Sequence, residues 1–364
     1  MKPLDPRQLP GNEARLQAND YKYKLQRCAA RLLPEESVCK CGRHAVDSRG
    51  VQVVKDGAGR AFTRGLVRCK SVWHCPVCAA KIAEKRRSEY VQLLKAWRAN
   101  GGHVYMLTLT LPHNAGQGLV DVLTILLRAW DLFNSGRNAL PTMLEDIDLF
   151  GQLRALEVTH GDNGWHPHQH ILLFTREYLL PQHIEYIQQR WASLLAALGF
   201  PTVRPDVAAQ VQGGDHAAEY VSKTGWGMAE EISRAHTKKG GRGGQTPFQL
   251  LESAALGCQR SARLFQEYAV AFKGRKQVFM SRSLAAFAAD HQLEELDDAV
   301  IIEREEMEVA EIVGYIAQEH WNLIYRYEMR AELLHAVELR GAAGLEEIVL
   351  CVIRLDELKV PSTV

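Results

Sequence analysis

The chain has 364 residues, an ordinary hydrophobic content of 46% and a formal net charge of +1, which excludes a disordered or fibrous protein. It holds no apolar run of about 18 residues, and its first stretch, MKPLDPRQLPGNEARLQ, lacks the apolar core of a signal peptide, so a soluble cytoplasmic protein with no membrane partner is expected. The near-neutral total hides an asymmetry: residues 1–98 carry a net +12, residues 220–283 a net +7 and residues 284–364 a net −12. Two basic regions point to a polyanion, nucleic acid above all, because neutralising phosphates releases counterions. A solvated charged surface is the plainer account of the same charge.

Residues 1–35 are polar and interrupted by proline, with one weak helical segment. Five of the eight cysteines then crowd into residues 36–80: Cys39, Cys41, Cys69, Cys75 and Cys78, with His44 and His74 nearby. Cys75-Pro-Val-Cys78 reads as a zinc knuckle, whose tight turn presents two thiolates and needs two more ligands. Cys69 and either Cys41 or Cys39 are the candidates, with His74 and His44 as substitutes. A thioredoxin-like redox pair is the weaker reading, since no βαβ pattern surrounds it. Cys28, Cys258 and Cys351 read as ordinary thiols. A helix follows from about Ala79 to Asn100 and ends at Gly101-Gly102. Lys81, Lys85, Arg86, Arg87 and Lys95 make one side of it basic, a candidate DNA-binding face.

His103–Leu111 alternates and is rich in β-formers, a strand stopped by Pro112. Residues 119–134 have helical periodicity. Leu153–His160 and His168–Phe174 read as two strands joined through Gly161-Asp162-Asn163-Gly164, a hairpin signal. Side chains alternate along a strand, so His168 and His170 share a face about 7 Å apart. With that loop, paired positions sum to 325, which sets Glu157 directly opposite His168 on the same face. Two imidazoles and a carboxylate suit Mg²⁺, Mn²⁺ or Zn²⁺, and phosphate chemistry favours the first two.

Gln182–Leu198 is a helix ending at Gly199, and Ala217–Lys223 has a helical pattern. There His216, Tyr220 and Lys223 fall at i, i+4 and i+7, on one helix face. A tyrosine attacks a phosphodiester once its phenol is deprotonated and a metal polarises the phosphate. Lys223 is placed to stabilise the phenolate or the transition-state charge. Read alone, Tyr220 is a packed helix aromatic; the metal pair upstream is what raises it. Lys238, Lys239 and Arg242 lie in a flexible basic loop, KKGGRGGQ, and are further candidate phosphate contacts. Residues 290–340 are charged and mostly helical.

Taken in order, these motifs resemble the rolling-circle plasmid replication initiators of the HUH endonuclease superfamily. The series runs from CGR at Cys41–Arg43 through GLVRCKSVWHCPVCAAKI, YMLTLTLPH at Tyr105–His113, EVTHGDNGWHPHQHILLF, EYVSK and TPFQLL at Thr246–Leu251. The resemblance implies that Tyr220 attacks an origin phosphodiester, stays joined to the 5′-phosphate and frees a 3′-OH for host helicase and polymerase to use. It implies Mg²⁺ or Mn²⁺ on His168, His170 and Glu157. It favours Cys41, Cys69, Cys75 and Cys78 as the zinc ligands. Two departures stand out. Gln169 occupies the middle of the histidine triplet, where the superfamily has a hydrophobic residue. His216, beside Asp215 and Glu219, sits four residues before the nucleophile, where some relatives carry a Glu that activates water for the terminating cleavage. Termination then falls to His216 as base or to a tyrosine from the second subunit of a dimer.

The expected architecture is α+β. A basic N-terminal region with the zinc module spans 1–100, and a catalytic domain spans 101–289. The latter has a central antiparallel sheet with metal on one face and helices on the other. An acidic helical extension spans 290–364. The rivals are a transposase or mobilisation relaxase of the same chemistry, and a non-enzymatic zinc-ribbon DNA-binding regulator.

Overall fold

In the computed structural model, residues 11–213, 244–293, 297–307 and 309–358 are described. The strands among them are β1 (Val51–Lys55), β2 (Ala61–Arg64), β3 (His103–Leu109), β4 (Leu149–Gly161), β5 (Gly164–Thr175), β6 (Ala209–Gln212), β7 (Val278–Met280) and β8 (Glu311–Ile316). They form two sheets, ordered β6-β3-β5-β4-β7 and β2-β1-β8, and every described pairing is antiparallel. The molecule is therefore a mixed α/β protein built on antiparallel sheets.

The β4–β5 hairpin is the backbone of the larger sheet. Its register pairs Gly161 with Gly164, His160 with Trp165 and Glu157 with His168, as the two-residue alternation and the short Gly-bounded loop dictate. One face of β5 carries Trp165, Ile171 and Leu173 into the main core, which the helix Leu119–Phe133 and the helix Pro181–Ala197 cover. The other face carries His166, His168 and His170, then Leu172 and Phe174. Leu172 and Phe174 are roofed by Leu93 and Trp97 of the helix Pro76–Ala99 and by Leu284 and Phe287 of the helix Arg282–Asp290. The histidine end of this face stays uncovered enough to border a cleft.

The acidic C-terminal segment, expected to be mostly helical, contains β8. Residues Glu311–Ile316 pair with β1, and Ile316, Trp321, Leu333 and Val337 share a core with Val51, Val53 and Ala61. The run EIVGYI carries β-formers between charged neighbours, and its partner lies more than 250 residues upstream, beyond the reach of local pattern. Residues near the two ends of the chain thus build one small sheet-and-helix unit. Among the described residues no helix is long and apolar enough to cross a membrane.

Candidate functional site

The N-terminal cysteines converge first. Cys41 follows the short helical turn Ser37–Lys40, Cys69 lies in the loop after β2, Cys75 caps the helix Pro76–Ala99 and Cys78 stands in its first turn. Their sulfurs all lie within 4.8 Å of one another. Cys41–Cys78, Cys69–Cys78 and Cys41–Cys75 are each 3.7 Å apart. A tetrahedral zinc with Zn–S bonds of about 2.3 Å sets its sulfurs about 3.8 Å apart, so the four thiols fit that ion. The choice left open between Cys39 and Cys41 falls on Cys41, since Cys39 stands outside the cluster. His74 is occupied elsewhere: buried, its Nε2 lies 3.0 Å from the Ala269 carbonyl. Around the cluster, Gln26 donates to Cys75 Sγ at 3.4 Å and the Cys78 amide donates to the same sulfur at 3.5 Å. Hydrogen bonds from the other three thiols hold Cys41 well below its ordinary pKa, while burial pushes Cys75 far up. Four thiols this close share one negative charge poorly unless a cation sits among them.

The second cluster is Glu157, His168 and His170. Glu157 Oε2 lies 3.3 Å from His168 Nε2 and 3.5 Å from His170 Nε2. The other ring nitrogens are anchored: His168 Nδ1 donates to the His166 carbonyl at 3.2 Å, and His170 Nδ1 is hydrogen-bonded to Thr108 Oγ1 at 3.0 Å. Such anchors fix each ring and leave the Nε2 lone pairs directed at a shared point. Burial raises the Glu157 pKa, but the His170 charge and hydrogen bonds from both histidines outweigh it and hold the carboxyl well below its usual range. Burial pushes His170 down against the opposing pull of Glu157. Two imidazoles beside an ionised carboxylate are a donor set that a divalent cation takes.

Sequence reasoning missed two further histidines here. His166, one step beyond His168 on the same face, stacks on His113 at a centroid distance of 4.7 Å and an angle of 17°. Its ring centroid is 5.1 Å from that of His168. Burial, with the neighbouring His168, His113 and His170 adding to it, lowers His166 to about 4. The strand alternation that flagged His168 and His170 also reaches His166, but only the fold brings His113 from the loop after β3 to meet it. Beside this row opens a cleft of about 600 Å³, bordered by Thr108, Thr110, Val203, Val207 and Gln210 as well as the histidines.

The basic helix face is partly engaged within the fold. Arg86 reaches Asp298 at 2.7 Å and Gln277 at 3.2 Å, with only 12% of its side chain exposed. Arg87 pairs with Glu84 at 3.2 Å and Lys85 with Glu89 at 3.8 Å. Lys81 lies on the same helix. His216, Tyr220, Lys223, Lys238, Lys239 and Arg242 lie outside the described residues.

The chain is similar in sequence to known proteins. A protein called "Protein rep" from Streptomyces lividans is 26% identical over 370 residues, covering 82% of this chain and 80% of that protein. A "Neomycin resistance protein" from Streptomyces cyanogenus is 28% identical over 148 residues, about a third of each chain. No solved structure gives a significant match. The sequence profile of the family described as "Replication protein" matches residues 63–332. That span includes three of the four clustered cysteines and the whole Glu157–His168–His170 set, and it covers well over half the chain. The chain therefore belongs to the replication protein family, that of the plasmid replication initiators its motifs resemble.

Proposed function

We propose that the protein starts plasmid replication by nicking one strand of origin DNA, using an HUH-type catalytic unit within residues 101–289. The observation that carries this reading is the convergence of Glu157, His168 and His170 beside an open cleft, in a chain of this family. The donor set fits a divalent cation: two imidazoles with anchored Nδ1 atoms and one ionised carboxylate. Glu157, His168 and His170 would hold Mg²⁺ or Mn²⁺, which when bound supplies polarisation of the scissile phosphate. The four clustered thiols would hold a structural Zn²⁺.

Tyr220 is the proposed nucleophile. Its phenol gives up its proton, its oxygen forms a bond to phosphorus, and the bond from phosphorus to the 3′ oxygen breaks. The departing oxygen takes up a proton and becomes the free 3′-OH primer, while the 5′-phosphate remains on the tyrosine. Lys223 stabilises the phenolate, and His216 serves as base in the terminating step. Lys81, Lys85 and Arg87, with Lys238, Lys239 and Arg242, are proposed phosphate contacts. Host helicase and polymerase then extend the primer.

The test is a covalent protein–DNA adduct with a single-stranded origin oligonucleotide and Mn²⁺. Wild type is expected to form it, and Tyr220→Phe and His168→Ala are expected to lose it. An adduct that survives in Tyr220→Phe moves the nucleophile elsewhere. A wild type that binds duplex DNA and never forms an adduct supports the zinc-ribbon regulator instead.

A further inference from the structure

The cleft beside the histidine row is built from more than metal ligands. Its floor continues the metal face of the sheet across two strands. Thr108 on β3 pairs with His170 on one side and with Gln210 of β6 on the other. In an antiparallel sheet, directly paired residues point to the same face. His170, Thr108 and Gln210 therefore form one row. Neighbouring strands are about 4.8 Å apart, so Gln210 stands roughly 10 Å from His170. That is the span from a phosphate to the far edge of its own nucleotide's base.

The walls have the matching chemistry. Val203 and Val207, the latter 46% exposed, give an apolar side, and Leu111 and Pro112 another. The Gln210 side chain is exposed and has no hydrogen-bond partner among the described residues. At the metal end, His113 Nδ1 donates to the Leu111 carbonyl at 3.2 Å, which orients the ring stacked on His166. A slot with apolar sides that also carries Thr110, Thr202 and Arg204, with a free amide at its far end and phosphate-directed groups at its near end, matches a single unpaired nucleotide. A side-chain amide reads a base edge by donating and accepting at once.

We propose that this cleft is a base-specific subsite for one unpaired nucleotide next to the scissile phosphate, with Gln210 as the residue that reads the base. This rests on the reading of Glu157, His168 and His170 as the phosphate-side metal centre, and it adds a specificity determinant to it. The apolar walls clasp the base and contribute sequence-tolerant affinity, as stacking surfaces do. Discrimination comes from the Gln210 amide. The basic residues elsewhere hold the backbone and carry the salt dependence.

The experiment measures binding of the full-length protein to dye-labelled single-stranded dA10, dC10 and dT10 by fluorescence anisotropy, in Mn²⁺ and over a salt series. Wild type is expected to prefer one homopolymer by roughly tenfold, the discrimination a good amide–base pair supplies. Gln210→Ala is expected to bring the three affinities within about twofold of one another while leaving the salt slope unchanged. Gln210→Glu, which keeps the shape and removes the donor, is expected to change which homopolymer is preferred. Gln210 is exposed at the edge strand of the sheet, so neither change threatens the fold. Equal binding of all three by wild type overturns the proposal, as does discrimination that survives in Gln210→Ala. An adduct assay on the same preparations separates the two ideas. Adduct without discrimination removes the subsite and keeps the nicking centre. Discrimination abolished by Gln210→Ala, with no adduct, keeps the subsite and removes the nicking centre.

Discussion

Gln169 lies between the two metal-directed histidines and faces the other way. It is fully buried, it pairs with Leu109 on β3 and Leu156 on β4, and neither of its amide atoms has a hydrogen-bond partner among the described residues. An unsatisfied buried amide costs about 1–3 kcal/mol. Gln169→Leu is therefore expected to raise stability by about that amount, read as a higher urea midpoint with an unchanged slope. Metal affinity stays the same, because the side chain leaves the opposite face. A drop in the midpoint would mean that the amide has a partner that matters. His166 makes a second prediction. Its pKa is lowered from the ordinary 6.5 to about 4, so between those values the unfolded chain binds the proton that the folded one refuses. Stability of the metal-free protein then rises with pH across that window and is lost as pH falls from 6.5 toward 4. His166→Phe should flatten the slope of urea midpoint against pH over that range. Equal slopes in the two proteins would show that His166 is not the group responsible.

At the scale of the element, the hairpin carries the site. Its register was legible because a strand has a strict two-residue period and the loop is short enough to fix the pairing, so Glu157 fell opposite His168 from arithmetic alone. The strands that local pattern did not mark, β1, β2, β6, β7 and β8, are three to six residues long, and all but β1 sit at sheet edges, where their identity depends on distant partners. The His113–His166 stack escaped for the same reason. The loop itself depends on Gly164, which has φ +83°, in the left-handed region, and whose added Cβ would lie 2.9 Å from Ala115 Cα. That close approach seats the segment bearing His113 against the end of β5. Gly164→Ala pays both penalties and is expected to destabilise by about 2 kcal/mol or more, with about 1–2 of that from the backbone alone. Gly161, across the same turn, has only ordinary contact at 3.6 Å to Gly244 and no left-handed φ. Gly161→Ala should therefore stay within about 0.5 kcal/mol of wild type. Equal losses in the two variants would refute the account of the loop.

Across the whole molecule, the four-cysteine cluster and the C-terminal segment are tied together by one buried cation. Arg330 is 5% exposed and lies over the rings of Tyr23 at 4.1 Å and Tyr325 at 4.4 Å. It donates to Gln26 Oε1 at 2.7 Å, and Gln26 in turn donates to Cys75 Sγ. Trp321 donates to the Gly42 carbonyl at 3.0 Å, next to Cys41. Among the described residues Arg330 forms no ion pair with a carboxylate; burial and the neighbouring Arg68 disfavour its charge, while Tyr23, Tyr325 and the Cys41 thiolate favour it. Four thiolates around one divalent ion carry a net −2, and that excess is what a buried guanidinium nearby can offset. Removing the metal protonates the thiols and takes the compensating charge away. Chelation is therefore expected to loosen β8 and the helix Arg330–Arg340 before the five-stranded sheet, read as faster amide exchange over residues 311–340 with β3 and β5 still protected. Arg330→Ala, which empties the cage, should produce the same local exchange with the metal present and cost on the order of 3 kcal/mol. If chelation speeds exchange in β3 and β5 first, the cluster supports the catalytic sheet directly and the C-terminal segment is held by its apolar contacts alone.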